Sequence, residues 1–256
     1  MKSLLRAFPI LFLLAAPTLI AQQSKSTRTA AGYPIPSDLL GPFAALGERA
    51  YLTEKGRMVL VGDLSDPSDK KETLRVVQES PRLRVEHDKG DTLEFDGERT
   101  SGLGLKSVAD EDLVESLLSD TADGLVASIG RGASLRLLGR GFRPDPKLFP
   151  EYHGPSYDVY ELTGEVLGFA QQVIRTKLYY FDLSTGLLLS TRYQDSARHE
   201  IETRVSGWAN IAGSAIPGRI ERYVDGHRVF AFDVLERSVE SRQSAPEKPK
   251  AIGRNK

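Results

Sequence analysis

The chain has 256 residues, 40% hydrophobic and 27% charged, with no cysteine, one tryptophan and four histidines. This length and apolar fraction suit a globular chain of one or two domains, and the missing cysteine excludes disulfide frameworks, thiolate zinc sites, Fe–S clusters and cysteine nucleophiles. The near balance of 34 basic against 35 acidic residues gives no electrostatic case for nucleic-acid binding.

Residues 1–21 read as a secretory signal peptide. Lys2 and Arg6 supply a basic start, and an apolar run from Ala7 to Ala21 follows, interrupted by Pro9 and Pro17. A spanning helix needs about 20 apolar residues, more than this run provides. Cleavage after Ala21 is expected, and without a cysteine there is no lipobox for a lipid anchor. The expected location is the periplasm, as a freely diffusing chain with no integral membrane segment once processed.

Residues 22–37 are rich in Ser, Thr, Gln and Pro and read as a flexible lead-in. Leu39, Leu40, Phe43 and Leu46 recur at helical steps, and Gly47 can end that short helix. Apolar alternation of the strand kind follows at Met58 to Leu64, Leu74 and Val76, Leu83 and Val85, and Leu93 and Phe95. Turn chemistry at Asp66-Pro67-Ser68-Asp69, Ser80-Pro81, Asp88-Lys89-Gly90-Asp91 and Asp96-Gly97 separates these runs, so an antiparallel meander is expected. Ser101 to Lys106 reads as a connection. Ser107-x-x-Asp110 then matches a capping box, and Val108, Leu113, Leu117, Leu118, Leu125 and Ile129 suit an amphipathic helix; Asp120 and Gly124 weaken its middle, so that either one helix or two pieces is expected.

Strands resume at Leu135 and Leu137 and, beyond a Pro-rich loop over Pro144–Pro155, at Tyr157 and Val159. Lys177–Leu183 and Leu187–Tyr193 flank Ser184-Thr185-Gly186, a hairpin signal. Ile201–Ala209 and Ile216–Val224 follow, and Asp225-Gly226 turns into Arg228–Leu235. Residues 237–256 are basic, proline-containing and poor in large apolar side chains, and read as a disordered tail. The expected fold is mainly β (α+β). One large curved antiparallel sheet over residues 38–236 forms an unclosed half-barrel with helices packed on its concave side.

Chemical motifs are sparse. His87, His153, His199 and His227 stand far apart without metal-ligand spacing and read as surface or turn residues. Gly130-Arg131-Gly132-Ala133-Ser134 lacks the nucleophile-elbow pattern, and Gly102-Leu103-Gly104 lacks the lysine or third glycine of a nucleotide loop. Asp110, Glu111 and Asp112 sit where acids complement a helix dipole. No catalytic residue, metal ligand or cofactor is expected, and binding is favoured over catalysis. The aromatic residues carry the remaining signal. Tyr179 and Phe181 share one face of a strand, Phe230 and Phe232 share one face of another, and Trp208 ends a third. Two readings stand: core beneath the helices, the more common outcome, or the lining of an apolar cavity for a hydrophobic ligand.

The element order resembles the LolA/LolB/RseB-type superfamily of periplasmic lipoprotein carriers and sensors. The resemblance rests on Ala45-Leu46-Gly47 closing the first helix and on the run Leu178-Tyr179-Tyr180-Phe181-Asp182-Leu183-Ser184-Thr185-Gly186-Leu187-Leu188. It continues through Gly213, Ile216-Pro217-Gly218-Arg219-Ile220, Asp225-Gly226 and Val229 to Val234, and spans about Asp38 to Leu235. It implies an unclosed barrel plugged by helices, with a hydrophobic cavity for acyl chains. The expected function is an exported, soluble carrier or envelope sensor that binds an acyl chain, lipid or lipoprotein tail through Tyr179, Phe181, Trp208, Phe230 and Phe232. The alternative is an envelope structural or protein-interaction module that docks a protein partner and holds no small ligand.

Overall fold

The structure, a computed structural model, describes residues 27–28, 34–35, 39, 41–42, 45, 56–79, 82–88, 90–95, 100–102, 108–121, 124–125, 128–129, 132–143, 154–167 and 173–241. The signal segment, most of the lead-in and first helix, the Pro144–Pro155 loop up to its last residues, and the end of the tail lie outside these. Sixteen strands and one complete helix are seen among the described residues. In chain order they are β1 (Thr27–Arg28), β2 (Pro34–Ile35), β3 (Gly56–Ser65), β4 (Lys71–Glu79), β5 (Arg82–His87), β6 (Thr92–Phe95), β7 (Thr100–Gly102) and α1 (Val108–Ser119). There follow β8 (Ser134–Phe142), β9 (Tyr157–Leu167), β10 (Val173–Asp182), β11 (Leu188–Gln194), β12 (Glu200–Ser206), β13 (Ala209–Ile211), β14 (Ser214–Ile216), β15 (Arg219–Val224) and β16 (His227–Ser241).

Twelve of the strands form one antiparallel sheet in the order β7-β6-β5-β4-β3-β16-β15-β12-β11-β10-β9-β8. The sheet is not closed into a barrel. Its order dictates where the helix goes. β7 and β8 are neighbours in sequence but occupy opposite edges, so the chain between them must cross a whole face of the sheet. α1 lies on that crossing and packs on β5, β15 and β16. We call the covered side the inner face.

Turns of two kinds hold the register. Asp66, Asp182 and Asp195 each turn a carboxylate back onto backbone N–H groups downstream, Asp66 accepting from Ser68 and Lys70 at 2.8 and 3.0 Å. Asp225 and Gly226 have φ of 49° and 79°, which the two-residue β15–β16 hairpin requires. Ala212 and Gly213 repeat that geometry, with φ of 50° and 80°, between β13 and β14.

Three sequence expectations are revised, and of the two forms expected for the helix the broken one is seen. Thr100–Gly102 is a strand on β6 and not a connection. The helix stops at Ser119, because Asp120 turns into the interior, where it is wholly buried, and helical backbone recurs only at 124–125 and 128–129. The small β13–β14 hairpin stands between β12 and β15. β16 runs past residue 236 to Ser241, paired with β3 as far as Gly56, so 237–241 are ladder residues. Its apolar side chain there is Val239 alone, packed against the core over β3, which is too little to show as an apolar pattern.

The inner face carries two cores. One, on β9–β12, gathers Tyr160, Leu162, Tyr179, Phe181, Tyr193 and Ile201 with Leu39 and Leu125 laid over them. The other, on β3–β6, β15 and β16, gathers Leu60, Leu74, Val76, Phe230 and Phe232 beneath Leu113, Val114 and Leu117 of α1. His87 is buried with its Nδ1 2.9 Å from Glu72, contrary to the surface position expected of it. Like Leu83 and Val85 it points to the inner face, as period two dictates.

Candidate functional site

Cross-strand register builds the site. Tyr160, Tyr179, Thr191, Thr203, Arg222 and Phe230 stand directly opposite one another on six neighbouring strands, and so form one row on the inner face. Leu162, Lys177, Tyr193, Ile201 and Val224 form the adjacent row. The first row is aromatic at its ends and polar in the middle, and the second is aliphatic apart from Lys177 and Tyr193. Lys177, Thr191 and Thr203 are fully or almost fully buried, and Arg222 nearly so.

The end of α1 meets this polar middle. Asp120 Oδ1 accepts from Lys177 Nζ and from Ser119 Oγ at 3.1 Å, and its Oδ2 accepts from Thr203 Oγ1 and from Arg222 Nη1 at 3.3 Å. Lys177 Nζ also donates to the Ser119 carbonyl at 2.9 Å, capping the helix, and lies 4.7 Å from the centre of the Tyr193 ring. Arg222 Nη2 donates to Glu115 Oε2 at 2.7 Å and to Tyr193 Oη at 3.1 Å, while its Nε lies 3.3 Å from Asp112. Tyr193 Oη donates to Glu115 Oε1 at 3.1 Å. Two cations from the sheet thus meet three carboxylates from the helix segment.

Burial and neighbouring charge pull these groups in different directions. Burial alone would push the Asp120 carboxyl up, but the Lys177 and Arg222 cations and the hydrogen bonds from Lys177 and Thr203 outweigh it and hold the group below its ordinary range. For Glu115, burial wins: aided by the Asp120 charge, it raises the carboxyl above its ordinary range despite Arg222. Burial, followed by Asp120, raises the Tyr193 phenol. Burial would lower the Arg222 guanidinium, but the Asp120, Tyr193, Glu115 and Asp112 charges keep it protonated. Every donor of Lys177 and every lone pair of Asp120 faces a partner inside the protein. The arrangement therefore acts as a clamp that seats α1. Among the described residues no three His, Asp or Glu side chains converge as metal ligands.

The structure divides the five aromatic residues singled out from sequence. Tyr179 and Phe181 lie in the β9–β12 core, with Trp208 packed against it and donating its indole N–H to the Leu188 carbonyl at 3.1 Å. Phe230 and Phe232 lie in the other core, under α1. Tyr160, whose ring meets Phe181 edge-on at 5.6 Å, joins the first group and escaped the sequence reading. So did the clamp. Its signal was present, since Lys177 shares parity with Tyr179 and Phe181, Thr203 with Ile201 and Val205, and Arg222 with Ile220 and Val224. A polar residue on an apolar stripe needs a partner, and that partner lay on a distant helix.

No protein-family model and no curated protein sequence matches the chain. Solved structures do. A LolA superfamily protein of Nitrosomonas europaea aligns with a TM-score of 0.51 at 15% identity, over 86% of this chain and 96% of that one. A DUF1329 family protein of Desulfovibrio piger aligns at 0.46 and 11% identity, over 77% and 91% of the two chains. A domain assigned to outer membrane lipoprotein sorting, from Vibrio parahaemolyticus, aligns at 0.44 and 7% identity, over 75% and 88%. The first of these likenesses establishes a LolA-like fold. Among the described residues no helix is long and apolar enough to cross a membrane.

Proposed function

We propose that the chain is an exported periplasmic protein that holds a hydrophobic ligand, an acyl chain, lipid or lipoprotein tail, as a carrier or envelope sensor. The reading starts from a LolA-like sheet and is supported by the aromatic character of one half of its inner face. α1 closes the half containing Phe230 and Phe232, and the clamp at its end fastens it to Lys177, Tyr193 and Thr203 at the border of the other half. The half formed by β9–β12 presents Tyr160, Tyr179, Phe181 and Trp208, and the described side chains laid over it, Leu39 and Leu125, come from outside α1. That aromatic half is the observation that carries the proposal, since mostly apolar sites with a few fixed polar groups are the usual form of ligand pockets.

Trp208 is the single tryptophan of the chain and borders this half, which makes the test direct. Protein purified without detergent is analysed by native mass spectrometry for bound lipid, and a bromine-substituted fatty acid is titrated against Trp208 fluorescence. Saturable quenching, abolished by Phe181→Asp and unchanged by Phe232→Leu, is the expected result. A protein that carries no lipid and shows no saturable quenching would overturn the reading.

A further inference from the structure

Charges on the outer face are mostly paired across strands. Arg57, Glu240, Arg75 and Glu86 form one ladder, and Arg192, Glu202 and Arg204 form another. Beside the second ladder lies an open cleft of about 1140 Å³, over β9–β11 and the turn between β11 and β12. Period two builds it. Leu178 and Tyr180 alternate with the inner-face residues Lys177, Tyr179 and Phe181, and Gln194 stands opposite Glu200 where the turn begins. The apolar part of the lining is Leu138, Leu178 and the Tyr180 ring, which is held by Tyr157 at 5.4 Å and by Arg192 at 5.5 Å.

The polar part is unengaged. Among the described residues the exposed side chains of Thr176, Gln194, Arg198 and Glu200 make no hydrogen bond or ion pair, and neither does the Tyr180 hydroxyl. The other charges of the cleft are already answered: Glu161 by Arg136, Arg192 by Glu202, and Asp195 by the N–H groups of Ala197 and His199 in its own turn. What remains is one cation and one anion, Arg198 and Glu200, two positions apart. Arg198 is also held in left-handed backbone, with φ of 70° and its N–H on the Asp195 carbonyl at 3.1 Å. Glycine suits that backbone better, so the turn by itself does not call for an arginine.

These features select the chemistry of a ligand. With one free charge of each sign the cleft has no net attraction for an ion, and an acyl chain would leave its donors and acceptors unused. A neutral chain of sugar rings meets both conditions, because its hydroxyls donate as well as accept and the C–H faces of its rings are apolar. The volume lies just above the about 300–1,000 Å³ usual for small-molecule pockets, which gives room for several rings. We propose that this cleft is a second binding site, which takes a neutral oligosaccharide. Gln194, Arg198 and Glu200 hydrogen-bond its hydroxyls, and Leu138, Leu178 and Tyr180 lie against its rings. The site is separate from ligand binding on the inner face and stands whether or not an acyl chain binds there.

The test is isothermal titration calorimetry of the full chain with three neutral probes: cellohexaose, maltohexaose and the pentamer of N-acetylglucosamine. At least one is expected to bind with a Kd below about 1 mM, little changed by salt. Glu200→Gln and Arg198→Gly are each expected to weaken that probe at least about fivefold. Arg198→Gly should do so with Tm unchanged or raised, since it relieves the turn, which separates lost contact from lost fold. Methyl resonances of Leu138 and Leu178 should shift on adding the probe, and those of Leu60 in the inner core should not. Binding of none of the three probes, binding that both variants leave unchanged, or shifts confined to inner-face methyls overturns the proposal. So does tighter, salt-sensitive binding of a sulfated or amino-sugar oligomer.

Discussion

Asp120 is wholly buried, and it is tolerated there because it accepts four hydrogen bonds, two of them from cations. Removing one member of such a set leaves a buried charge uncompensated, which typically costs about 3–5 kcal/mol. Asp120→Asn is therefore expected to lower the urea midpoint by that amount of stability at unchanged m-value, and Lys177→Met by a similar amount. The two changes together should cost less than their sum, a result a double-mutant cycle reads. The pH dependence follows from the directions of the shifts. Asp120 has its folded pKa depressed, so its contribution is present above the unfolded carboxylate range and lost as pH falls through the lower folded value. Glu115 has its folded pKa raised, so the folded state favours the protonated carboxyl. Its contribution is present below the unfolded value and lost as pH rises through the folded one. Stability measured against pH should accordingly show a loss on the alkaline side of the ordinary glutamate range that Glu115→Gln removes and Asp120→Asn, which takes away one of the charges raising Glu115, diminishes.

The elements differ in how openly their turns announce themselves. The β15–β16 hairpin is written plainly as Asp225-Gly226. The β13–β14 hairpin has the same positive φ values but places Ala212 first, where asparagine, aspartate or glycine is usual. The Asn210 side-chain oxygen, accepting from the Gly213 N–H at 3.0 Å, helps to hold the turn. An alanine in left-handed backbone costs about 1 kcal/mol, so Ala212→Asn is expected to stabilise the protein by about 0.5–1 kcal/mol, read as a rise in Tm. The seam between β3 and β16 leaves no such latitude. A Cβ on Gly62 would lie 2.4 Å from the Asp233 carbonyl oxygen and 3.0 Å from the Phe232 ring. Gly62→Ala must therefore push two central strands apart, at an expected cost of about 1–3 kcal/mol by denaturant titration.

At the scale of the molecule, the sheet is two meanders sewn together at their ends. β3 opens the first and β16 closes the second, so their pairing brings Gly56 beside Ser241 and joins both halves into one twelve-stranded surface. Neither half can complete its apolar face until the last long strand arrives, which predicts slow folding of the kind that high contact order imposes. Ending the chain at Leu235 removes the partners of Gly56–Val61 and leaves one side of buried Met58 and Leu60 without a neighbouring strand. That truncation is expected to lower Tm by more than any single surface substitution. In native-state hydrogen exchange on the full chain, amides of β3, β15 and β16 should be the slowest, and those of β7 and β8 at the open edges faster.

The amino-acid sequence by itself determined the strands, the order of meander, helix and meander, and the faces on which Tyr179, Phe181, Phe230 and Phe232 lie. Those features rest on period-two alternation and on turn residues, which act within a few positions of each other. It concealed the extension of β16, whose one apolar residue is Val239, and the β13–β14 hairpin, whose turn begins with alanine. Only the tertiary structure decided that the first and last long strands pair, that α1 crosses the sheet, and that Lys177 and Arg222 meet Asp120 and Glu115. It also separated the aromatic residues into two cores and left β8 on an open edge. The physical reason is range: burial of a strand face is a local property of its side chains, whereas a buried cation is satisfied by whatever carboxylate the chain's crossing brings to it.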